Sequence, residues 1–291
     1  MSEDFRNYIV VSEEGVNKVS ETYRGIRNGL RYQLSNLYDF HPSHDAVADA
    51  DFTALDRWIL GKFAELETEV MAAYEAYEFH VVYQKISQFF AVELSSVYHD
   101  VVKDRLYTFA ANDPRRRSTQ TALHRMVTGL CQMLSPILAF TADEAWEFIP
   151  GAESVSVHES VWTVRPFDHS EEERKDWNAL MEIRQRELTT LEAARREKII
   201  GKSLDAKIVF AGGKEGLHFE SRFKDDLKEL LNVSQFEIEF VPEVGSSSQG
   251  RVTHADGIKC DRCWHWESDV GSDPAHPLLC ARCVAAEKAN Q

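Results

Sequence analysis

The sequence predicts a mostly α-helical protein in which a helical bundle is followed by a small α+β unit and a four-cysteine module. Three observations predict this order. Apolar residues recur every three or four positions through the first 150 residues, which is the spacing of one helix face. Shorter β-branched and alternating stretches follow, and two Cys-x2-Cys pairs lie close to the C-terminus. We therefore place the bundle at 1–151, the α+β unit at 152–244, a linker at 245–250 and the cysteine module at 251–291.

The bundle is predicted from the density of its helical periodicity and from local helix-start signals. One predicted helix face carries the apolar residues Leu55, Ile59, Phe63, Leu66, Val70, Tyr74 and Tyr77. Asp113 before Pro114 is typical of an N-cap followed by the first helical residue. Thr141 and Glu144 have the spacing of a capping box, which indicates another helix start. The first half of the chain is therefore predicted to be a bundle of helices.

The α+β unit is predicted from a change of pattern near residue 152. Short β-branched stretches around Val155, Val157 and Val161 mark the change, and Pro166 ends them. The predicted order after them is a long helix over 170–200, a strand over 206–210, a helix over 223–231 and a strand over 236–241. The run at 245–250 is rich in serine and glycine, which is the composition of a flexible linker, so a separate module is predicted to follow it.

Composition and charge exclude several classes of protein. The chain has 291 residues, 43% of them apolar, which suffices for two or three structural units with cores of their own. A net charge of -15 argues against a protein that coats nucleic acid non-specifically. The sequence contains no run of about 18 apolar residues, the length needed to span a bilayer. Its first residues lack the basic segment followed by an apolar segment that marks a signal peptide. We expect a cytoplasmic monomer that does not bind membranes.

Four cysteines are predicted to bind one structural zinc ion. Cys260 and Cys263 form one Cys-x2-Cys pair, and Cys280 and Cys283 form the second after sixteen intervening residues. This spacing is typical of zinc sites because each short turn directs two sulfurs toward one point. Four thiolates also close the tetrahedral shell, which leaves no position for water or substrate. A module of about 41 residues has too small a core to fold alone, so the metal would supply folding energy.

Several of these residues have a second interpretation. Two disulfides or four free thiols are the alternative to a bound metal. A reducing cytoplasm favours metal ligation over disulfides. His254, His265 and His276 could substitute as ligands, although four cysteines need no replacement. Trp264 either covers the metal knuckle or presents a flat face on which an unpaired base stacks, and the two interpretations are equally supported. Cys131 lies on an apolar helical stretch and is predicted to be a buried small hydrophobe.

Several short phrases of the sequence occur together in one enzyme family. The helical phrases include Tyr23-Arg24-Gly25-Ile26-Arg27-Asn28, Asn36-Leu37-Tyr38-Asp39-Phe40, Leu55-Asp56-Arg57-Trp58 and Lys103-Asp104-Arg105-Leu106-Tyr107. The later phrases are Ile200-Gly201-Lys202-Ser203-Leu204-Asp205-Ala206 and Cys260-Asp261-Arg262-Cys263-Trp264. Over nearly its whole length the chain resembles the isoleucyl-tRNA synthetases, which are class I aminoacyl-tRNA ligases. The helical phrases resemble the valine, leucine and methionine enzymes as well, and the terminal cysteine module points to the bacterial type of the isoleucine family.

The resemblance implies that the chain corresponds to the C-terminal part of such an enzyme, with an anticodon-binding bundle and a zinc-binding tail. It implies isoleucine tRNA as the RNA partner and the catalytic domain of the same enzyme as the protein partner. The family's ATP-binding signatures, of the His-Ile-Gly-His and Lys-Met-Ser-Lys-Ser types, are absent from the sequence. We therefore expect no aminoacylation by this chain alone, because the catalytic and editing domains are missing. Two positions depart from the family, with Gly29 in place of a common threonine and Trp266 in place of a frequent tyrosine.

The resemblance and two locally basic stretches indicate which residues contact tRNA. Residues 15–31 carry four basic residues against one acidic residue, and residues 103–117 carry five against two. Basic side chains of this kind bind phosphates. The expected tRNA-binding residues are Arg24, Arg27, Asn28, Arg31, Lys103, Arg105 and Trp264, with Arg115, Arg116 and Arg117 as weaker candidates. The alternative for each arginine is a solvated helix face or a surface ion pair worth about 0–1 kcal/mol.

Two other functions are weighed against tRNA binding. The α+β unit and the cysteine module could instead form a protein-contact surface that packs on the catalytic domain, which their acidic balance permits. A zinc hydrolase would need an open coordination position, and four cysteine ligands leave none. tRNA binding is therefore the function that the sequence favours.

Overall fold

The structure, a computed structural model, describes residues 2–8, 11–152, 154–213, 216–241 and 248–290. It confirms the predicted fold class, a mostly helical protein with small sheets and a cluster of four cysteines. Two compact units are present. The first contains the residues up to Leu106 together with Ala111–Ser170, and the second contains Tyr107–Ala110 together with the residues from Glu171 onward. None of the described helices is both long and apolar enough to cross a membrane.

The first unit is a helical bundle. Its helices are α1 Glu13–Ser35, α2 Pro42–Asp45, α3 Ala54–Glu75, α4 Phe79–Phe89, α5 His99–Val101, α6 Lys103–Thr108, α7 Pro114–Leu134 and α8 Ala139–Trp146, and the last two residues of α6 belong to the second unit. A π-helical segment, Phe90–Tyr98, joins α4 to α5. The core lies between the apolar faces of α1, α3, α4 and α7, where Ile59 and Leu123 have no exposed surface.

Local polar caps explain where some of these helices begin. The Asp113 carboxylate accepts a hydrogen bond from the backbone N–H of Arg115 at 2.8 Å, which confirms the predicted start of α7. The predicted helix start at Thr141 is wrong, because α8 already begins at Ala139 and Thr141 lies inside it. The Thr141 hydroxyl instead lies 3.1 Å from the hydroxyl of Tyr23 on α1.

Helix α1 lies close to the ring of Phe90, in the π-helical segment, at Gly29. A Cβ atom at this position would lie 2.5 Å from the ring of Phe90, closer than real Cβ contacts come. Gly29 is buried, whereas Asn28 beside it is exposed. The glycine that departs from the resembled family is therefore required for helix packing, and it offers no surface for a ligand.

A buried ion pair joins α3 to α6 inside the bundle. The side chains of Asp56 and Arg105 are 0% and 2% exposed, and Arg105 Nη1 lies 3.2 Å from Asp56 Oδ2. The hydroxyls of Thr53 and Ser118 donate to the same oxygen at 2.7 and 2.5 Å. Tyr98 Oη donates to Asp56 Oδ1 at 2.6 Å, and burial next to this carboxylate raises the pKa of Tyr98 well above its ordinary value. The buried carboxylate is thus compensated by one cation and several hydroxyl donors.

The second unit combines a long helix, a three-stranded sheet and the cysteine module. Its elements are α9 Glu171–Arg196, β1 Ala206–Gly212, α10 His218–Arg222, α11 Lys224–Leu230, β2 Gln235–Phe240, β3 Ser248–His254, β4 Ile258–Lys259, β5 Trp266–Glu267 and α12 Ala281–Ala289. The strand order is β2-β1-β3, with β2 parallel and β3 antiparallel to β1. Helix α9 packs against β3 and α11 against β2, which covers the sheet residues Ile208 and Phe236.

The first unit extends beyond the predicted boundary at residue 151 and ends at Ser170. The β-branched stretch in this segment forms a 3-10 turn, Val157–Glu159, and no strand. Trp162 Nε1 and the N–H of Arg165 donate to the Glu67 carboxylate on α3 at 3.2 and 3.3 Å. Burial raises the pKa of Glu67, although these donors favour its ionised form. The hydrogen bonds tie the segment to α3, so it packs with the bundle and the α+β unit begins only at Glu171.

The last three residues of the predicted linker at 245–250, and the predicted start of the cysteine module at 251, differ from the structure. Residues 242–247 lie outside the described residues, and Ser248 already begins β3. The register pairs Ile208 of β1 with Val252 of β3. Strand pairing therefore places residues 248–254 in the sheet of the α+β unit, and the cysteine module follows this strand.

We predict that Asp56→Ala destabilises the bundle by about 3–5 kcal/mol, because it leaves the Arg105 guanidinium buried without its counter-charge. Urea unfolding followed by circular dichroism measures this loss. The control is Lys103→Ala, which removes an exposed pair with Asp100 and is expected to cost less than about 1 kcal/mol. Equal midpoints for the two variants would show that the buried pair does not stabilise the bundle.

Candidate metal centre and nucleic-acid interface

The four predicted cysteine ligands meet at one buried point of the second unit. The sulfurs of Cys260, Cys263, Cys280 and Cys283 all lie within 4.8 Å of one another, and the four residues are at most 6% exposed. The Sγ atoms of Cys263 and Cys280 are 3.8 Å apart. Sulfurs at the corners of a tetrahedron, each about 2.3 Å from a zinc ion, would be about 3.8 Å apart. The donor set and its spacing therefore fit one metal ion held by four thiolates.

Backbone hydrogen bonds build the two turns that carry these sulfurs. The N–H of Cys260 donates to the carbonyl of His265 at 2.8 Å, and the N–H of Trp264 donates to the carbonyl of Cys260 at 2.9 Å. These bonds close the first turn. In the second pair, Cys280 is the N-cap of α12 and Cys283 lies in the first turn of that helix. The N–H of Cys280 also lies 3.4 Å from the sulfur of Cys260, which joins the two turns.

The protonation of the thiols shows why a cation suits the cluster. A hydrogen bond from the Cys283 thiol lowers the pKa of Cys263 to about 4, although burial opposes this ionisation. Burial and the neighbouring Cys263 thiolate raise the pKa of Cys280 to about 11. The hydrogen bond to Cys263, together with burial, raises the pKa of Cys283 as well. A metal ion must therefore displace protons from the remaining thiols, so metal affinity is expected to fall as the pH falls.

Side chains outside the cluster fix the cysteine module on the rest of the second unit. Trp266 Nε1 on β5 donates to Asp205 Oδ1 at 3.1 Å, in the turn that precedes β1. Arg262, inside the first Cys-x2-Cys turn, pairs with Glu287 on α12 at 2.7 Å and donates to the carbonyl of Thr108. Trp266 and Arg262 are thus engaged within the protein, so they serve to position the module.

Trp264 differs from these residues because 56% of its surface is exposed. Its φ of 65° lies in the left-handed region, which costs a residue with a Cβ atom roughly 1–2 kcal/mol. An indole that only covered the metal would be buried against it. The exposure favours the second interpretation, in which the ring presents a flat face to a ligand.

The predicted contact residues on α1 lie at its surface. Arg24, Arg27 and Arg31 are spaced three and four residues apart, which places them on one side of the helix, and Asn28 is exposed beside them. Arg27 lies 3.6 Å from Glu144 of α8. Arg24 and Arg31 form no ion pair with any residue that the structure describes. Arg24 and Arg31 are therefore available to a phosphate, and the contact of the three arginines with tRNA stays a prediction.

Two arginines of the second basic stretch are buried. Arg105 is buried against Asp56, so the expectation that it contacts tRNA is wrong: leaving its partner would leave a charge unpaired in the core. Arg116, a weaker candidate, is 3% exposed and donates to both oxygens of Asp39 at 2.6 and 2.9 Å. Lys103 is exposed and pairs with Asp100 at 2.8 Å. Of the two contacts expected most strongly in this stretch, only Lys103 is exposed, and Arg115 is exposed among the weaker candidates.

A cavity of about 630 Å³, which the sequence did not predict, lies beside the arginines of α1. Arg27 and Arg31 line it, together with Tyr38 and Phe148, two aromatic residues that are 81% and 65% exposed. Both aromatics follow the end of a helix, at α1 and at α8. Apolar periodicity does not extend past a helix end, so it could not show that these rings face solvent. A pair of exposed aromatics next to two arginines is a surface suited to nucleotides.

Comparisons with known proteins agree with this geometry. A family model described as "Anticodon-binding domain of tRNA ligase" matches residues 56–210, and one described as "Zinc finger found in FPG and IleRS" matches residues 257–286. An isoleucine–tRNA ligase of Syntrophotalea carbinolica is 42% identical over 98% of this chain and 32% of its own length. Those of Desulfotalea psychrophila and Bacillus cytotoxicus are 40% and 39% identical, over 98% and 99% of this chain and 32% of their own length.

The chain thus spans about a third of the length of the curated relatives it matches. The resemblance to the isoleucyl-tRNA synthetases is confirmed along nearly the whole chain. Since the first family model covers more than half of its residues, the chain belongs to the family of anticodon-binding domains of tRNA ligases.

Proposed function

We propose that the chain binds the anticodon region of isoleucine tRNA and so supports aminoacylation by an isoleucine–tRNA ligase. The observation that carries this proposal is Trp264, an exposed indole on a turn built by two cysteine ligands. Relatives named isoleucine–tRNA ligase align with 98% of the chain, and the family model is that of an anticodon-binding domain. An unpaired anticodon base provides the flat partner that an exposed indole can stack on.

In this proposal the arginines of α1 and Trp264 contact different parts of the RNA. Arg24, Arg27 and Arg31 bind phosphates of the anticodon stem, which orients the RNA without reading its sequence. Trp264 stacks on a splayed base of the anticodon loop, an interaction worth roughly 1–3 kcal/mol. Asn28, exposed on α1, offers a hydrogen-bonding amide beside the arginines. Phosphate contacts supply affinity that falls with salt, and base contacts supply discrimination between tRNAs.

One zinc ion is the metal we assign to the four cysteines. A tetrahedral shell of thiolates suits zinc, and it has no open position at which water could be activated. The ion therefore stabilises the fold that presents Trp264 and takes no part in chemistry. Aminoacylation with ATP belongs to the catalytic domain of the ligase, since the sequence has neither of the family's ATP-binding signatures. That domain is also the proposed protein partner.

We predict that purified chain contains one zinc ion and that Cys280→Ser lowers this content, because three thiolates bind the ion more weakly than four. Atomic emission measures the zinc content of both proteins. Limited proteolysis reports whether the cysteine module unfolds when the ion is lost. Acidification from pH 7 toward pH 4 is expected to release the ion, since protons compete for the thiolates. Cys131→Ala is the control, because Cys131 lies in the bundle and outside the cluster. A chain that stays zinc-free after refolding with zinc would contradict the assignment.

We predict that Trp264→Ala and Trp264→Gly both weaken binding of isoleucine tRNA by about 1–3 kcal/mol, because both remove the stacking face. Only the glycine variant relieves the left-handed backbone, which offsets the greater freedom of glycine in the unfolded chain. Its thermal stability is therefore expected to exceed that of Trp264→Ala. Phe240→Ala, another exposed aromatic of the same unit, is the control. Wild-type affinity in both Trp264 variants would contradict base stacking.

We predict that Arg31→Met weakens tRNA binding most at low salt and reduces the slope of log Kd against log salt by about 0.7–0.9. Fluorescence anisotropy with labelled isoleucine tRNA and a non-cognate tRNA measures the slope and the discrimination. Lys85→Met removes a charge elsewhere on the bundle, where Lys85 pairs with Glu69, and serves as the control. If the wild-type chain fails to bind isoleucine tRNA at low salt, the proposed function is wrong.

A further inference from the structure

Lys202 lies beside Trp264 in the folded second unit. Its ammonium nitrogen is over the indole ring, 5.7 Å from the ring centroid. Lys202 is exposed, and so is more than half of the Trp264 surface. A cation at this distance is attracted by the negative face of the ring. The protein therefore presents an ammonium group over an indole that still has more than half of its surface open to solvent.

Asp205 holds the two residues in this arrangement. Its Oδ2 accepts hydrogen bonds from the backbone N–H groups of Lys202 and Gly201 at 2.8 and 3.2 Å. Its Oδ1 accepts from the indole N–H of Trp266 at 3.1 Å, and Trp266 follows Trp264 by two residues. Burial opposes ionisation of Asp205, but these donors outweigh it and lower its pKa. At neutral pH the carboxylate thus ties the backbone of Lys202 to the metal-binding module.

Lys202 also differs from other basic residues of the same unit in having no acidic partner. Lys207 lies 2.9 Å from both Glu237 and Asp256, and Lys288 lies 2.7 Å from Asp273. Lys202 forms no ion pair with any of the residues the structure describes. In a chain with a net charge of -15, a cation without a carboxylate is available for an anionic ligand.

We infer that Lys202 binds the phosphate of the unpaired nucleotide whose base stacks on Trp264. This inference rests on the proposed function. It adds a residue that contacts a phosphate of the loop, whereas Trp264 contacts a base and the arginines of α1 contact the stem. A single nucleotide offers both partners that the site needs, a flat base and an anionic phosphate attached to it. An RNA loop presents such nucleotides, whereas the bases of a paired stem are covered by their neighbours. Lys202 and Trp264 together select an unpaired, phosphate-bearing ligand.

The test is the salt dependence of binding to isoleucine tRNA for the wild-type chain, Lys202→Met, Lys202→Arg and Trp264→Ala. Methionine keeps an apolar stem over the indole and removes only the charge. Lys202→Met is expected to lose affinity several-fold at low salt and to reduce the slope of log Kd against log salt by about 0.7–0.9. Lys202→Arg is expected to keep the slope. Trp264→Ala is expected to weaken binding at every salt concentration with the slope unchanged.

Lys175→Met is the matched control, because Lys175 is an exposed lysine of the same unit that pairs with Glu171. Its slope is expected to equal that of the wild-type chain. An unchanged slope in Lys202→Met overturns the inference whether affinity falls or not, and a fall would mean that Lys202 only supports the indole. If Trp264→Ala weakens binding in that experiment, the proposed function stands although the inference fails. If the wild-type chain does not bind tRNA at low salt, both fail.

Discussion

The convergence of four buried sulfurs is the constraint on which the second unit depends. The apolar residues packed against them, Val270 and Leu279, are only partly buried, so this module has little hydrophobic stabilisation of its own. Four thiolates within 4.8 Å would repel one another without a cation between them. Metal binding supplies both the missing free energy of folding and the charge compensation. The turn that presents Trp264 exists because Cys260 and Cys263 must face the same point.

The backbone at Trp264 shows what that turn demands. A positive φ suits glycine, yet the position is occupied by the largest side chain of the twenty. The strain of roughly 1–2 kcal/mol is tolerated because two hydrogen bonds hold the turn, one from the Trp264 N–H to the Cys260 carbonyl and one from the Cys260 N–H to the His265 carbonyl. A metal ion bound by Cys260 and Cys263 would hold it further. An exposed tryptophan contributes little to folding in return. Its retention at a strained position is accounted for by the ligand contact we propose.

Partners in the fold decide what each basic residue can do in this acidic chain. Arg105 and Arg116 stabilise the bundle because each neutralises a carboxylate that burial would otherwise penalise. Arg31 and Lys202 have no such carboxylate among the described residues, so their charges face solvent. A guanidinium that leaves a buried carboxylate loses more free energy than a phosphate contact in water returns. Internal and external arginines are therefore not interchangeable, although their sequence surroundings look alike.

The sequence by itself determined the features that arise from local spacing. Helical periodicity predicted the bundle, and the x2 spacing predicted the cysteine cluster, because both depend on residues within a few positions of one another. Family resemblance added α1 and Trp264 as candidate contacts with RNA. Asp113 likewise predicted the start of α7, since the side chain of an N-cap residue accepts hydrogen bonds from N–H groups within the next three residues.

Only the tertiary structure showed that Arg105 is buried in an ion pair. It also showed that residues 154–170 pack with the bundle and that residues 248–254 form a strand of the sheet. It also decided that Lys202 lies over Trp264. Each of these depends on a partner that is distant in the chain: Asp56, Glu67, β1 or the cysteine turn. Local patterns cannot specify such partners, because burial and strand pairing arise only when whole elements pack together.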